Sequence, residues 1–470
     1  MTDSVGMLFG VFLVIAVIAV TAVVSGRKVK STKDFMISGG RAGWPIVSGI
    51  IVGALVGGSS TVGTAQAAFV YGLPAWWFTL GAGLGCLVLA IVFAKPFREA
   101  GLETLPQFLA QTFGAPLRPL IAVSDSVGIF MTIPGQTASA ISLFTVLLHW
   151  SLWPVAILIV ILVTLYVFSG GAISAGAAGF VKLIVAFSAL LFFGIAALAM
   201  SGGLTSLHAA LPVRYFNLFG NGVWKDLGNG IGIILGVLST QVYVQAIFSG
   251  RNVAQSRIGT LVAGFGTMLF GLGGVAVGLF MRVHEPGIVP AQALPLFAAH
   301  YFPGIVGGFL IGAILITVIT CAGGLALGVS TMVTRDLYQQ YARPRMGDRE
   351  GLVVARIVVV AVVVLGVALG ASNLLKLIIN YSFLAFAFRA NAVLIPLLVA
   401  VFFNRTRFAS LGAGFCAVLL GMLANIGWSV THPGGGEAVF IGLAGSVLGL
   451  IIGALLFTQH EKTPISRQVT

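Results

Sequence analysis

Of 470 residues, 58% are hydrophobic and only 8% are charged, which excludes an ordinary soluble domain and points to a chain that crosses a bilayer repeatedly. The net charge of +13 does not indicate a nucleic-acid partner, because the basic residues sit in short loops between apolar runs, where they set membrane orientation. Cys86, Cys321 and Cys416 all fall inside apolar runs, so no disulfide framework is expected.

Apolar runs of spanning length lie at 5–25, 44–72, 73–95, 117–149, 152–169, 176–201, 228–249, 258–282, 303–334, 352–371, 375–403, 408–430 and 438–458. They predict an all-α polytopic membrane protein of about thirteen transmembrane helices, called here the first to thirteenth spans. The opening Met1-Thr2-Asp3-Ser4 carries no positive residue, so the first run reads as a retained helix rather than a secretory signal. One set of loops holds Arg27, Lys28, Lys30, Lys33, Arg41, Lys95, Arg98, Arg118, Arg251, Arg257, the basic residues from Arg335 to Arg356, Arg405, Arg407, Lys462 and Arg467. The other holds only Arg214, Lys225, Arg282 and Lys376. This asymmetry predicts a multi-pass protein of the inner (plasma) membrane with its N-terminus outside and its C-terminus in the cytoplasm. The longest connection, about 335–351, is too short to bury a core of its own, so function is expected inside the bundle.

The second span is interrupted by Gly53-Ala54-Leu55-Val56-Gly57-Gly58-Ser59-Ser60-Thr61-Val62-Gly63. Carbonyls freed at membrane depth are tolerated only where protein or a lined cavity satisfies them, so this break is a candidate site for an ion and a small solute. The competing reading is a small-residue packing face built on Gly53 and Gly57. The seventh span carries a comparable interruption, Gly236-Val237-Leu238-Ser239-Thr240-Gln241. Five spans separate the two breaks, an odd offset that inverts topology and predicts a five-plus-five inverted repeat with the site between the broken helices.

Asp125, Lys182 and Arg389 are the ionisable residues well inside the spans, and each is a functional hypothesis. Asp125 is placed on the cytoplasmic half of the fourth span, Lys182 near the cytoplasmic start of the sixth, and Arg389 halfway down the eleventh. Asp125 is expected to neutralise either Lys182 or Arg389, leaving one cation over. A surplus arginine suits a carboxylate-bearing solute, because its planar fork binds both oxygens. In the ninth span Thr317, Thr320 and Cys321 share one face, where oxygen ligands suit a hard cation and a thiol does not. Gln136, Gln241, Tyr243 and Gln245 are read equally well as a polar path or as interhelical glue. An intramembrane enzyme is not expected, since a lone aspartate with no mid-span histidine supplies no nucleophile–base pair. His149, His208 and His284 lack metal-ligand spacing.

These motifs, in this order, resemble the sodium/solute symporter family over roughly residues 5–405. They are Asp34-Phe35; Val56-Gly57-Gly58-Ser59-Ser60-Thr61 with Tyr71-Gly72; Lys95-Pro96-Phe97-Arg98; Thr104-Leu105-Pro106-Gln107-Phe108-Leu109; Phe113-Gly114; Gly135-Gln136; Tyr166 with Ser169-Gly170-Gly171; Tyr243-Val244-Gln245; and Thr334-Arg335-Asp336-Leu337-Tyr338. The resemblance implies one transmembrane transporter domain: an extra helix (5–25), a first repeat (44–201), a second repeat (228–403) and two extra helices (408–458). It implies alternating access and a sodium site at Gly53, Val56, Thr317 and Thr320, with Cys321 where relatives carry a hydroxyl. Two further departures are Gly179, where many relatives carry an aspartate tied to an additional sodium site, and Lys182, at a place often held by glutamine. Two alternatives follow for Lys182. Its ammonium replaces the ion, making coupling proton-based or sodium-weak, or it snorkels to the cytoplasm while sodium binds as usual. The expected function is a cation-coupled symporter, Na+ first and H+ second, importing a small polar organic solute without an organic cofactor. The solute is expected near Ser59, Ser60, Thr61, Gln136, Thr240, Gln241 and Arg389: an organic acid first, a neutral amino acid or similar metabolite second. A membrane sensor on the same scaffold is the alternative of a different class.

Overall fold

The computed structural model describes residues 2–26, 31–148, 150–168, 171–372, 378–432 and 436–457. Arg27, Lys28, Lys30, His149, Ser169, Gly170, Lys376, Lys462 and Arg467, named above, lie outside them. Among the described residues, nine helices are long and apolar enough to cross a membrane, or ten with the bent pair Val223–Leu238 and Gln241–Ser249 taken as one span. Of the three other expected spans, the second is interrupted (Trp44–Leu55 and Val62–Tyr71), the fifth is a shorter helix (Leu152–Phe168) and the first is helical over Thr2–Gly26. The chain is an all-α, multi-pass membrane protein.

Burial sorts the spans into layers. The most apolar stretches of Leu117–Leu147 and Gly304–Ala342, the fourth and ninth spans, are 83% buried, so these helices sit at the centre. Asp348–Ser372 and Leu411–Thr431 are 33% buried and sit at the rim. Rim side chains such as Ile157, Leu165, Leu365 and Leu423 are exposed without charge beside them, as lipid contact requires.

The centre is packed through small residues. The inner half of the second span, Trp44–Leu55, lies against the sixth span, Gly171–Met200, along a seam of Gly49, Gly53, Gly176 and Gly179. A Cβ on Gly179 would meet the Gly49 carbonyl carbon at 2.7 Å, so neither helix tolerates a side chain there.

One expectation is corrected here. The helix of the sixth span already runs from Gly171 among the described residues, not from near 176; Gly171 itself, at φ +55°, packs against Phe35. Lys182 is therefore eleven residues into the helix, about 16 Å along its axis, and its ammonium lies against the break in the second span.

At the end of the bundle carrying the basic loops, the two broken spans are joined directly. Ala42, just before Trp44–Leu55, donates to Ser249 O at 2.8 Å, and Arg251 N donates to Ala42 O at 2.8 Å.

Candidate functional site

The break in the second span spans Val56–Thr61, between Trp44–Leu55 and Val62–Tyr71. Its carbonyls can be accounted for one by one. Ala54 O accepts from the Cys321 thiol (2.9 Å), Leu55 O from Ser60 Oγ (3.1 Å), Gly57 O from Thr61 Oγ1 (2.9 Å), Gly58 O from Gly63 N (2.7 Å) and Ser59 O from Thr64 Oγ1 (2.9 Å). Of the freed amides, Gly57 N donates to Ser60 Oγ (3.1 Å) and Gly58 N to Gln136 Oε1 (2.5 Å). The hydroxyl run thus satisfies its own unwound backbone, which is what allows an open helix in the protein interior.

Thr61 O accepts from Ala65 N (3.0 Å), and two further carbonyls, Gly53 O and Val56 O, face the Lys182 ammonium. Lys182 Nζ donates to Val56 O at 2.6 Å, Gly53 O at 3.0 Å, Thr320 Oγ1 at 3.0 Å and Thr317 O at 3.3 Å. Three N–H groups serve four oxygens, so one bond is shared. The lysine is 1% exposed, and among the described residues no carboxylate pairs with it. An ammonium at this depth costs about 2.5–3.5 kcal/mol on insertion scales, and a cage of four oxygens offsets that cost. Thr320 Oγ1 spends its own proton on Ile316 O (2.7 Å) and so presents a lone pair to the cage. Cys321 does not: its thiol points away from Lys182's oxygens toward Ala54 O.

Above the cage lies a second polar cluster. Ser59 Oγ is 2.7 Å from Ser382 Oγ and accepts from Gln136 Nε2 at 3.2 Å. Arg389, fully buried, donates from Nε to Ala385 O (3.0 Å) and from Nη2 to Thr132 Oγ1 (3.4 Å), and its guanidinium lies 4.2 Å from the Phe386 ring centre. Its Nη1 has no hydrogen-bond partner among the described residues. Asp125 accepts from Gln241 N, the first residue of Gln241–Ser249, at 2.8 Å, placing a carboxylate at a helix N-terminus. Its other oxygen is unpartnered. The expected neutralisation takes neither of the forms foreseen. Asp125 feels the Arg389 charge, but among the described residues it makes no ion pair with Arg389 or Lys182.

The seven residues expected at the solute divide into two groups. Ser59 and Gln136 meet at Ser382, while Arg389 bonds to Thr132, four residues before Gln136. Ser60, Thr61 and Thr240 have hydroxyls engaged by backbone carbonyls, and Gln241 braces Leu105 N (2.7 Å) and Glu103 O (3.2 Å). Ser382 and Thr132 were missed. Ser382 lies seven residues before Arg389, on the same helix face, a spacing that could have flagged it.

A cavity of about 580 Å³ opens at the end of the bundle away from the basic loops, lined among others by Tyr71, Asn221, Lys225, Asn380, Tyr381, Phe383 and His432. None of the seven expected residues lines it. Phe383, which lines it, packs edge-on to Phe78 (6.0 Å), and Phe386 stacks with Tyr243 (6.4 Å). The opposite end is tied together by ion pairs and hydrogen bonds. Arg118 pairs with Asp336 (2.6 Å), which also accepts from Thr104 (3.0 Å); Arg335 pairs with Glu103 (2.7 Å); and Gln245 Nε2 donates to Met36 O.

The model of the sodium:solute symporter family matches residues 35–421. The high-affinity proline transporter PutP of Bacillus subtilis (strain 168) is 25% identical over 94% of this chain and 96% of its own. The human high affinity choline transporter 1 is 24% identical over 69% of this chain, which spans 60% of that protein's length. Among solved structures, a Na+-coupled sialic acid symporter in a substrate-bound, outward-open state superimposes with a TM-score of 0.80 at 15% identity, over 97% of this chain and 98% of that one. That likeness shows a shared fold.

Proposed function

Because this chain belongs to the sodium:solute symporter family, a transporter family and not one of enzymes, we propose that it imports a small polar organic solute by alternating access. The observation that carries this reading is the cavity open at one end and the ion-paired seal at the other, with two broken helices between them. On this reading the two breaks begin five-helix inverted repeats, the basic loops are cytoplasmic, and the described state faces outward.

The solute is a carboxylate. Arg389 is the one mid-span cation, among the described residues, whose guanidinium retains a donor without a partner, and it bonds to Thr132, four residues before the Gln136 that holds Ser59. Two of the three relatives act on molecules that carry a carboxylate, proline and sialic acid. Asp125, with its own unpartnered oxygen near Arg389, favours an amino acid over a simple acid as the second reading.

Uptake into proteoliposomes across a panel of organic acids, amino acids and quaternary amines tests the proposal. Arg389→Ala is expected to lower apparent affinity for the transported acid at least tenfold, and Arg389→Lys not to restore it, because a point charge does not replace a fork. Unchanged affinity in Arg389→Ala would assign the arginine to structure.

A further inference from the structure

We infer that Lys182 is a built-in cation that takes the place of sodium in this chain, so that solute transport does not draw on Na+ at the cage of Gly53, Val56, Thr317 and Thr320. The inference rests on the transport reading above, and concerns only what fills the cage.

The cage residues are those that the family resemblance assigns to sodium, yet they do not fit the ion here. All four oxygens lie 2.6–3.3 Å from Nζ, at hydrogen-bonding distance from one ammonium. A metal cation bound to the same oxygens would sit in contact with that positive charge, with no carboxylate paired to the lysine to offset it. The fifth expected ligand is also withdrawn, since Cys321 donates its thiol proton to Ala54 O.

The neighbouring departures serve this arrangement. Gly179 stands one turn before Lys182 on the seam with Gly49, where a Cβ would collide with backbone, so an aspartate cannot occupy that position at this helix separation. The close approach it permits carries the lysine, one turn on, into reach of Gly53 O and Val56 O. An anion is lost and a cation gained within a single helical turn.

Thermal unfolding of the purified full-length protein in NaCl, KCl and N-methyl-D-glucamine chloride at equal ionic strength tests the inference, with Lys182→Ala and Lys182→Gln alongside. Ligands that bind the folded state raise its midpoint. Wild type is expected to show no Na+-specific shift. The variants are expected to unfold several degrees lower without sodium and to recover selectively with NaCl, because the emptied cage now presents its oxygens to the ion. A saturable Na+-specific shift in wild type that Thr320→Val abolishes overturns the inference, whether or not the lysine variants fold. A folded lysine variant indifferent to Na+ also overturns it. Uptake in matched proteoliposomes is expected to be equal in external NaCl and KCl. If no solute in the panel is taken up while the stability pattern holds, the transport reading fails and the cage assignment stands.

Discussion

Lys182 and Gln136 show how single side chains hold the unwound backbone open. Gln136 spends its carbonyl on Gly58 N and its amide on Ser59 Oγ, both fully buried. In Gln136→Leu, of similar size and apolar, both partners lose their bond without access to water. A buried unsatisfied group costs about 1–3 kcal/mol, so a clear fall in the unfolding midpoint is expected, with wild-type stability in Gln136→Glu excluded by the lost amide. Calorimetry of the purified variants measures both. The chemistry at position 321 follows the same rule of satisfaction: a thiol there serves a freed carbonyl of the break instead of a cation.

At the scale of elements, the decisive contact is the glycine seam between Trp44–Leu55 and Gly171–Met200. It sets how far Lys182 must reach. Gly179→Ala is expected to destabilise the protein by about 1–3 kcal/mol, the usual cost of overpacking, since even a methyl meets Gly49 backbone. Gly179→Asp is expected to be at least as damaging and to confer no sodium dependence. A thermal shift for Gly179→Ala within error of wild type would show that the seam yields and that the residue is not sterically required. The seam is also where sequence reasoning was weakest. Gly171 to Ala175 read as a connection, and the five residues gained by the helix put Lys182 deeper along it.

For the whole molecule, the ion pairs across the basic-loop end imply a gate. Asp336 joins Arg118 and Thr104, and Glu103 joins Arg335, so two separate sequence motifs are locked together by buried charge. Asp336→Asn leaves Arg118 without its counter-ion and is expected to shift the population toward a state open at this end. A cysteine placed at Ala172, which lines the small cavity beneath the cage, reports the change. Its labelling by an impermeant thiol reagent from the basic-loop side is expected to quicken several-fold in Asp336→Asn, in a background without the native cysteines. An unaltered rate would mean that the backbone junction at Ala42 and Ser249 holds the gate by itself.

The apolar runs determined an all-α membrane protein, and the glycine–hydroxyl interruptions determined where helices break, because a bilayer leaves backbone few other options. The family and the three costly charges were legible too, being matters of residue type and order. What the tertiary structure decided was who partners whom. Sequence left Lys182 between snorkelling and replacing an ion, and offered Asp125 two partners; both questions turn on helix starts and interhelical distances that periodicity does not fix. Packing brought the ammonium to Gly53 O and Val56 O, turned Cys321 toward Ala54, and tied Asp125 to the amide of Gln241. It also spent the hydroxyls of Ser60 and Thr61 on their own backbone. A hydroxyl in a sequence is a donor and an acceptor in waiting, and only the fold says which group stands opposite.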